Sequence, residues 1–240
     1  MGQYSKQGLY SGYKKNNKER EALDYYSTPT KEVENILKTM KLNLEGKKIL
    51  EPCVGGGHML QGILNYCLET NQCPKEIIAT DVMDRNPSIS VSAKEEIFAK
   101  NMFGYDVAKF TKYNSIPDIE TFLGQEYDFL SDDYPIDKAD IIIMNPPYSI
   151  IEPFVIRALE IAPEVLLLGR MQFIEGSGRY ENILKDNPFN EMYQYVDRIQ
   201  CYKNGDELIK SSSVQGYAWF YWNQNLVSSS QPRLKWIRRA

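Results

Sequence analysis

Histidine is almost missing from this 240-residue chain: His58 stands alone. A histidine-based metal site therefore lacks its ligands, and no metal is expected. The four cysteines, Cys53, Cys67, Cys73 and Cys201, form no CxxC pair, which argues against both a zinc knuckle and a redox dithiol. No apolar run approaches the roughly 20 residues that a membrane span needs. The opening stretch MGQYSKQGLYSGYKKNNKER has no apolar core to serve as a signal peptide. A reduced, cytoplasmic protein without a membrane partner is expected. Internal repeats are also absent, so a solenoid is excluded.

What the chain has is enough length and 42% hydrophobic residues for one full domain. Its charge is uneven. Residues 1 to 20 carry Lys6, Lys14, Lys15, Lys18 and Arg20 against the single carboxylate Glu19. The last ten residues carry Arg233, Lys235, Arg238 and Arg239 with no carboxylate, so the body between is far more acidic than the net charge of -4. The expected organisation is a flexible basic tail at 1–22, one domain at 23–226 and a basic C-terminal tail at 227–240. With Tyr4, Tyr10, Tyr13 and Trp236 interleaved, such tails suit a polyanion. Solvated, frayed ends have the same composition.

Between the tails, helix and strand patterns alternate. STPTKEVENILKTM offers Thr28 as an N-cap and Pro29 at the first helical position, with Val33, Ile36, Leu37 and Met40 at helical spacing. KKIL (47–50), EIIAT (76–80), ADIIIM (139–144) and EVLLLG (164–169) are short apolar runs. HMLQGILNYCLE and EPFVIRALEIA are amphipathic between them. Strands apolar on both faces belong in a parallel sheet covered by helices. YQYVDRIQCY and GYAWFYWN are longer aromatic strands, expected as an antiparallel pair at the sheet edge. Residues 85–126 mix helix signals with Asn, Pro and Gly punctuation and suit a third helix and an excursion.

Chemistry gathers at the strand ends. In ILEPCVGGGHML, Gly55 and Gly57 permit a tight turn and close approach of backbone to a ligand. A plain strand-to-helix turn would use the same glycines. Glu51 just before the loop disfavours phosphate and suits a cation. Asp81 ends the next strand, where a carboxylate can accept both hydroxyls of a ribose; Asp84 is the alternative. A ligand with a ribose and a positive charge but no phosphate fits S-adenosylmethionine (AdoMet).

These segments, in this order, resemble the class I AdoMet-dependent N6-adenine DNA methyltransferases with an N-P-P-Y motif, in a small solitary or phage-type form. STPTKEV resembles the motif that holds the cofactor carboxylate, placing Thr28 there. LEPCVGGGHML resembles the E/D-P-x-x-G-x-G-x-F/L loop, with Glu51, Pro52, Gly55 and Gly57. IATDV resembles the ribose strand, with Asp81 and Val82. YDFLSDDY resembles the segment whose Asp128, followed by Phe129, bonds the cofactor adenine; Asp132 and Asp133 compete for that role. IIIMNPPYS resembles the catalytic motif, with Asn145, Pro146, Pro147 and Tyr148. The likeness covers about residues 24–184. It implies a Rossmann-like fold with a mostly parallel seven-stranded sheet and an antiparallel edge strand, AdoMet as cofactor, and DNA as partner with the target adenine flipped out. A second subunit could supply target recognition.

The motif also has a physical reading. The lone pair of an exocyclic amino group is delocalised into its ring, and two acceptors on its hydrogens turn it toward nucleophilicity. Asn145 Oδ1 and the Pro146 carbonyl can be those acceptors, on a loop that two prolines stiffen. Tyr148 can stack on an extruded base. Phe173 is either a second wall of the base pocket or a core aromatic, and YAWFYW either a stacking platform or sheet core. Two other functions use the same parts: methylation of a release-factor glutamine or an rRNA base amino group, and a non-catalytic AdoMet-binding subunit of a larger complex.

Overall fold

The structure, a computed structural model, describes residues 25–82, 127–203, 216–226 and 231–240. The expected tail at 1–22, the excursion at 85–126 and Asp84 lie outside the described residues.

Chain order is β1 (Tyr26–Ser27), α1 (Thr30–Met40), β2 (Lys48–Glu51), α2 (His58–Thr70), β3 (Glu76–Ala79), β4 (Ile141–Met144), α3 (Ile151–Ile161) and β5 (Glu164–Arg170). It continues through a short α-turn (Ser177–Arg179) and a π-turn (Tyr180–Leu184) to β6 (Glu191–Tyr195), β7 (Tyr202–Lys203), β8 (Tyr217–Asn223) and β9 (Arg233–Ile237). Seven strands form one sheet in the order β3-β2-β4-β5-β8-β6-β9. β3, β2, β4 and β5 are mutually parallel. β8 runs antiparallel to both β5 and β6, and β9 pairs parallel with β6. The sheet is therefore mostly parallel, as expected, with β8 as its reversed strand and β9 outermost.

Period-2 alternation divides the core between two faces. Ile141 and Ile143 pack with α1 and α2 residues such as Val33, Ile36, Leu60 and Ile63. Ile142 and Met144 pack with the α3 residues Phe154, Val155 and Ala158. Helices thus cover both faces, which is why β4 carries no polar residue. Gly62 is needed where α1 meets α2: an added Cβ would lie 2.5 Å from Val33 Cβ. β8 is sheet core, with Trp219 and Phe220 fully buried.

Two expectations need correction. Thr28 does not cap α1. The N-cap is Pro29, extended at φ -56° and ψ 128° with no side-chain cap bond, because its carbonyl already accepts from Glu32 N (2.9 Å). A residue before proline is itself pushed to extended backbone, which leaves the Thr28 side chain for another partner. The C-terminal basic segment also does not behave throughout as a tail. Arg233–Ile237 form β9, tied to β6 by the backbone ladder and by the buried carboxylate of Glu191, which takes Arg233, Lys235 (2.8 Å) and the Tyr193 hydroxyl (2.5 Å).

Parallel neighbours end at the same sheet edge. β3, β2 and β4 therefore deliver their C-terminal loops side by side: Thr80-Asp81, the glycine loop after Glu51, and Asn145 to Tyr148. In an open α/β sheet that edge is where ligands bind.

Candidate active site

A cleft opens at this edge. Pro52 and Cys53 line it from β2, Asp81 and Val82 from β3, and Asn145 to Tyr148 from β4. Tyr127, Asp128 and Phe129 come from the preceding segment, Ile150 and Phe154 from the start of α3, and Tyr25 and Tyr26 from the strand before α1. Most residues singled out by sequence thus share one cavity. Thr28, Glu51, Gly55 and Gly57 do not line it, and neither do Asp132, Asp133 and Phe173. Phe173 is a core residue, 5.1 Å from Phe220 and 6.1 Å from Trp222 between ring centroids.

The glycine loop is held from below and from the side. Gly55 N donates to Asp81 Oδ2 (2.8 Å), Val54 N to the Thr80 carbonyl (2.9 Å), and Gly56 N to the Tyr25 hydroxyl (2.7 Å). Gly55 has φ +53° and Gly57 φ +86°, a region that L side chains rarely adopt. An ideal Cβ on Gly55 would also stand 2.2 Å from the Tyr25 ring. Two loop amides are thus satisfied by the protein's own oxygens, which removes them from any phosphate cradle.

Glu51 lies beneath the loop, only 1% exposed, and its Oε2 has no hydrogen-bond partner among the described residues. Burial raises its pKa well above the ordinary carboxylate range; the Asp81 charge adds to the rise, and the Leu60 backbone amide in the first turn of α2 opposes it. Burial, Glu51 and Asp81 likewise push the Cys53 thiol well up, so it is no thiolate nucleophile. An acidic pair of this kind attracts a cation. Asp128 caps its own turn, with Oδ1 accepting from Leu130 N (2.9 Å). Tyr127 N donates to the Asp81 carbonyl (3.0 Å), which brings this segment against β3.

The Asn145 amide is fixed from one side. Its Nδ2 donates to the Tyr26 carbonyl (2.8 Å) and to Thr28 Oγ1 (3.0 Å). Oδ1 has no partner among the described residues. The segment that supplies these acceptors is itself anchored, because β1 pairs with β7. Tyr148 packs against Tyr26 and Tyr217 at centroid distances of 5.9 Å each, and the Arg170 guanidinium lies 4.3 Å from its ring centroid.

Sequence reading missed Tyr25, Tyr26, Cys53, Tyr127, Ile150, Phe154 and Arg170. The tyrosine pair in DYYSTPT, immediately before a motif already singled out, was the available signal. Cys53 and Ile150 lie within or just beyond quoted motifs. Arg170 and Phe154 gave none, since a strand-end arginine and an apolar helix residue are ordinary features.

No protein-family model matches the chain, and neither does any curated protein sequence. Solved structures are similar. A "putative class I S-adenosylmethionine-dependent methyltransferase" from Listeria monocytogenes has a TM-score of 0.53 at 12% identity, covering 85% of this chain and 62% of that one. The M protein of the type I restriction enzyme EcoKI has a TM-score of 0.53 at 11% identity, covering 88% and 48%. A "putative RNA methyltransferase" from Pyrococcus horikoshii has a TM-score of 0.49 at 16% identity, covering 84% and 89%. The chain has the class I methyltransferase fold and spans less than two thirds of the length of the first two proteins.

Proposed function

We propose that the chain transfers a methyl group from AdoMet to the N6 amino group of adenine in DNA. The observation that carries this reading is the Asn145 amide: donor side doubly occupied, acceptor side unpaired, on the wall of the cleft. A buried amide oxygen without a partner is costly in a resting protein. It is what an amino-group substrate requires.

The residues present fit the cofactor. Glu51 Oε2 is an orphaned buried carboxylate suited to an ammonium group, and Asp81, whose Oδ2 holds Gly55, would meet the ribose hydroxyls. Asp128 would take the adenine amino group, with Val82 and Phe129 beside the ring. Pro52 and Gly57 complete the motifs around it, while Thr28 holds the Asn145 amide. Among the described residues no lysine or arginine lines the cleft, which disfavours a nucleotide phosphate there. AdoMet, when bound, supplies a methyl group already activated by its sulfonium.

The chain's own part is orientation and acceptance. Asn145 Oδ1 and the Pro146 carbonyl accept from the target amino group and strengthen as positive charge develops on nitrogen. Pro146 and Pro147 hold that loop with few soft torsions, and the ring of Tyr148 supports the base. Positioning of this kind needs no general base of matched pKa. Among the described residues after 184, β6, β8 and β9 belong to the large sheet and β7 pairs with β1; a second subunit is proposed for target recognition.

The test is the purified chain with labelled AdoMet, offered DNA, RNA and lysate protein, with the product identified by mass. N6-methyladenine in DNA is expected. Asn145→Ala should abolish transfer while AdoMet affinity stays within about twofold, since the contact is made only in the reacting complex. Methylglutamine or a methylated RNA base as the sole product would assign the same loop to another substrate.

A further inference from the structure

Arg170 is the last residue of β5. Register places Met144 opposite Leu167, so Arg170, three residues on, stands level with the Asn145 to Tyr148 loop. Its guanidinium lies 4.3 Å from the Tyr148 ring centroid and 5.7 Å from that of Tyr26, within cation–π range of both. Nε is buried and has no hydrogen-bond partner, and among the described residues no carboxylate forms an ion pair with Arg170. Arg179 and Arg157 also have Nε atoms without a hydrogen-bond partner, but Arg179 is ion-paired with Glu152 at 3.2 Å and Arg157 Nη2 donates to the Ser131 carbonyl at 3.4 Å.

A half-buried cation normally has an anion. Here aromatic faces compensate the charge in part, and this form of compensation matters. Stacking uses the flat face of a guanidinium, whereas its five N–H donors lie in the plane. With Nε buried and one side-chain hydrogen bond going to Tyr217, the remaining terminal N–H donors are what an anion can meet, and an arginine fork matches phosphate oxygens two at a time. The surrounding protein is acidic and repels phosphates in general, so a cation beside the catalytic loop selects where a nucleic-acid backbone can approach.

We infer that Arg170 is a substrate-positioning residue that binds a backbone phosphate next to the target nucleotide. The inference rests on the reading of DNA as substrate. Backbone contacts of this kind set register and carry no base sequence, so Arg170 would place the target nucleotide over Tyr148 whatever site is read.

The experiment uses the full chain and a duplex containing the site mapped from the wild-type product. Steady-state methylation is measured for wild type, Arg170→Gln and Arg170→Lys over a range of salt. Duplexes in which single phosphates flanking the target are replaced by neutral methylphosphonates are then compared. Arg170→Gln should raise the KM for DNA about tenfold or more and reduce the salt slope by about one ion, with AdoMet Kd within about twofold. Arg170→Lys keeps the charge and should keep the slope. In wild type one methylphosphonate position should reproduce the loss, and in Arg170→Gln that position should cost nothing further. The inference is overturned if Arg170→Gln lowers kcat with KM and salt slope unchanged, which would make Arg170 only a prop for Tyr148. It is also overturned if no single neutralised phosphate affects wild type, a result that survives even if Arg170→Gln fails to fold. Wild type inactive on every DNA would remove the DNA reading and this inference together.

Discussion

Replacing Glu51 with Gln separates cofactor binding from folding, because the two should respond in opposite directions. Glu51 is 1% exposed, with Oε2 unpaired among the described residues and the Asp81 charge nearby. Ionising it without a ligand is unfavourable, and that is why its pKa is raised. The unfolded chain loses this proton at the ordinary carboxylate pKa, and the folded chain holds it to higher pH. Stability from this group is therefore fully present below the ordinary value and is lost as pH rises through the raised one. Thermal melts of the ligand-free wild type should show that decline, and Glu51→Gln should lack it. A cationic ligand reverses the preference by favouring the ionised form, so AdoMet affinity in wild type should rise with pH over the same window and binding should release protons. Loss of one hydrogen bond to a charged group costs about 1.5–3 kcal/mol, or about 10- to 150-fold in Kd. Calorimetry in two buffers of different ionisation enthalpy reads both affinity and proton release. A variant with unchanged AdoMet Kd and the wild-type pH slope in its melts would show Glu51 to be neither a ligand nor a titrating group, and the cofactor assignment at this carboxylate would have to be withdrawn.

Local patterns carried the fold a long way, and their failures share a cause. β2 to β5 were legible because strands buried on both faces leave an unbroken apolar run, as IIIM does, and α1 and α2 because their apolar stripes keep helical spacing. The Asn145 loop was legible because two prolines after buried strand residues have few uses. β9 was not legible. RLKWI alternates charge with apolar residues and resembles a solvated end until Glu191, 42 positions before Arg233, is seen to receive both Arg233 and Lys235. Thr28 shows the same limit: a threonine before Pro-Thr fits an N-cap by local rules, yet its hydroxyl meets Asn145, 117 positions away. Tyr25 closes on the glycine loop from 31 positions away. Each miss is a contact that only tertiary folding creates, and each lies where one element supports another's functional group.

Thr28→Val removes one of two acceptors that orient the Asn145 amide. With the Tyr26 carbonyl retained, the loss should be about 1 kcal/mol, roughly a fivefold fall in kcat, with AdoMet Kd unchanged; a change confined to Kd would instead place Thr28 on the cofactor. The last prediction concerns Tyr25 and Gly55. Gly55→Ala forces an L side chain to φ +53° and sets its Cβ 2.2 Å from the Tyr25 ring, so it combines backbone strain of about 1–2 kcal/mol with a collision. The strain is a property of residue 55 alone, whereas the collision needs the ring. Tyr25→Ala should therefore relieve part of the Gly55→Ala defect, and the double variant should unfold at a higher denaturant midpoint than the two single losses add up to. Strict additivity would mean that Tyr25 does not rest on the glycine loop. The Gly56 amide would then lack the cover assigned to it, and the loop would be open to an anionic ligand after all.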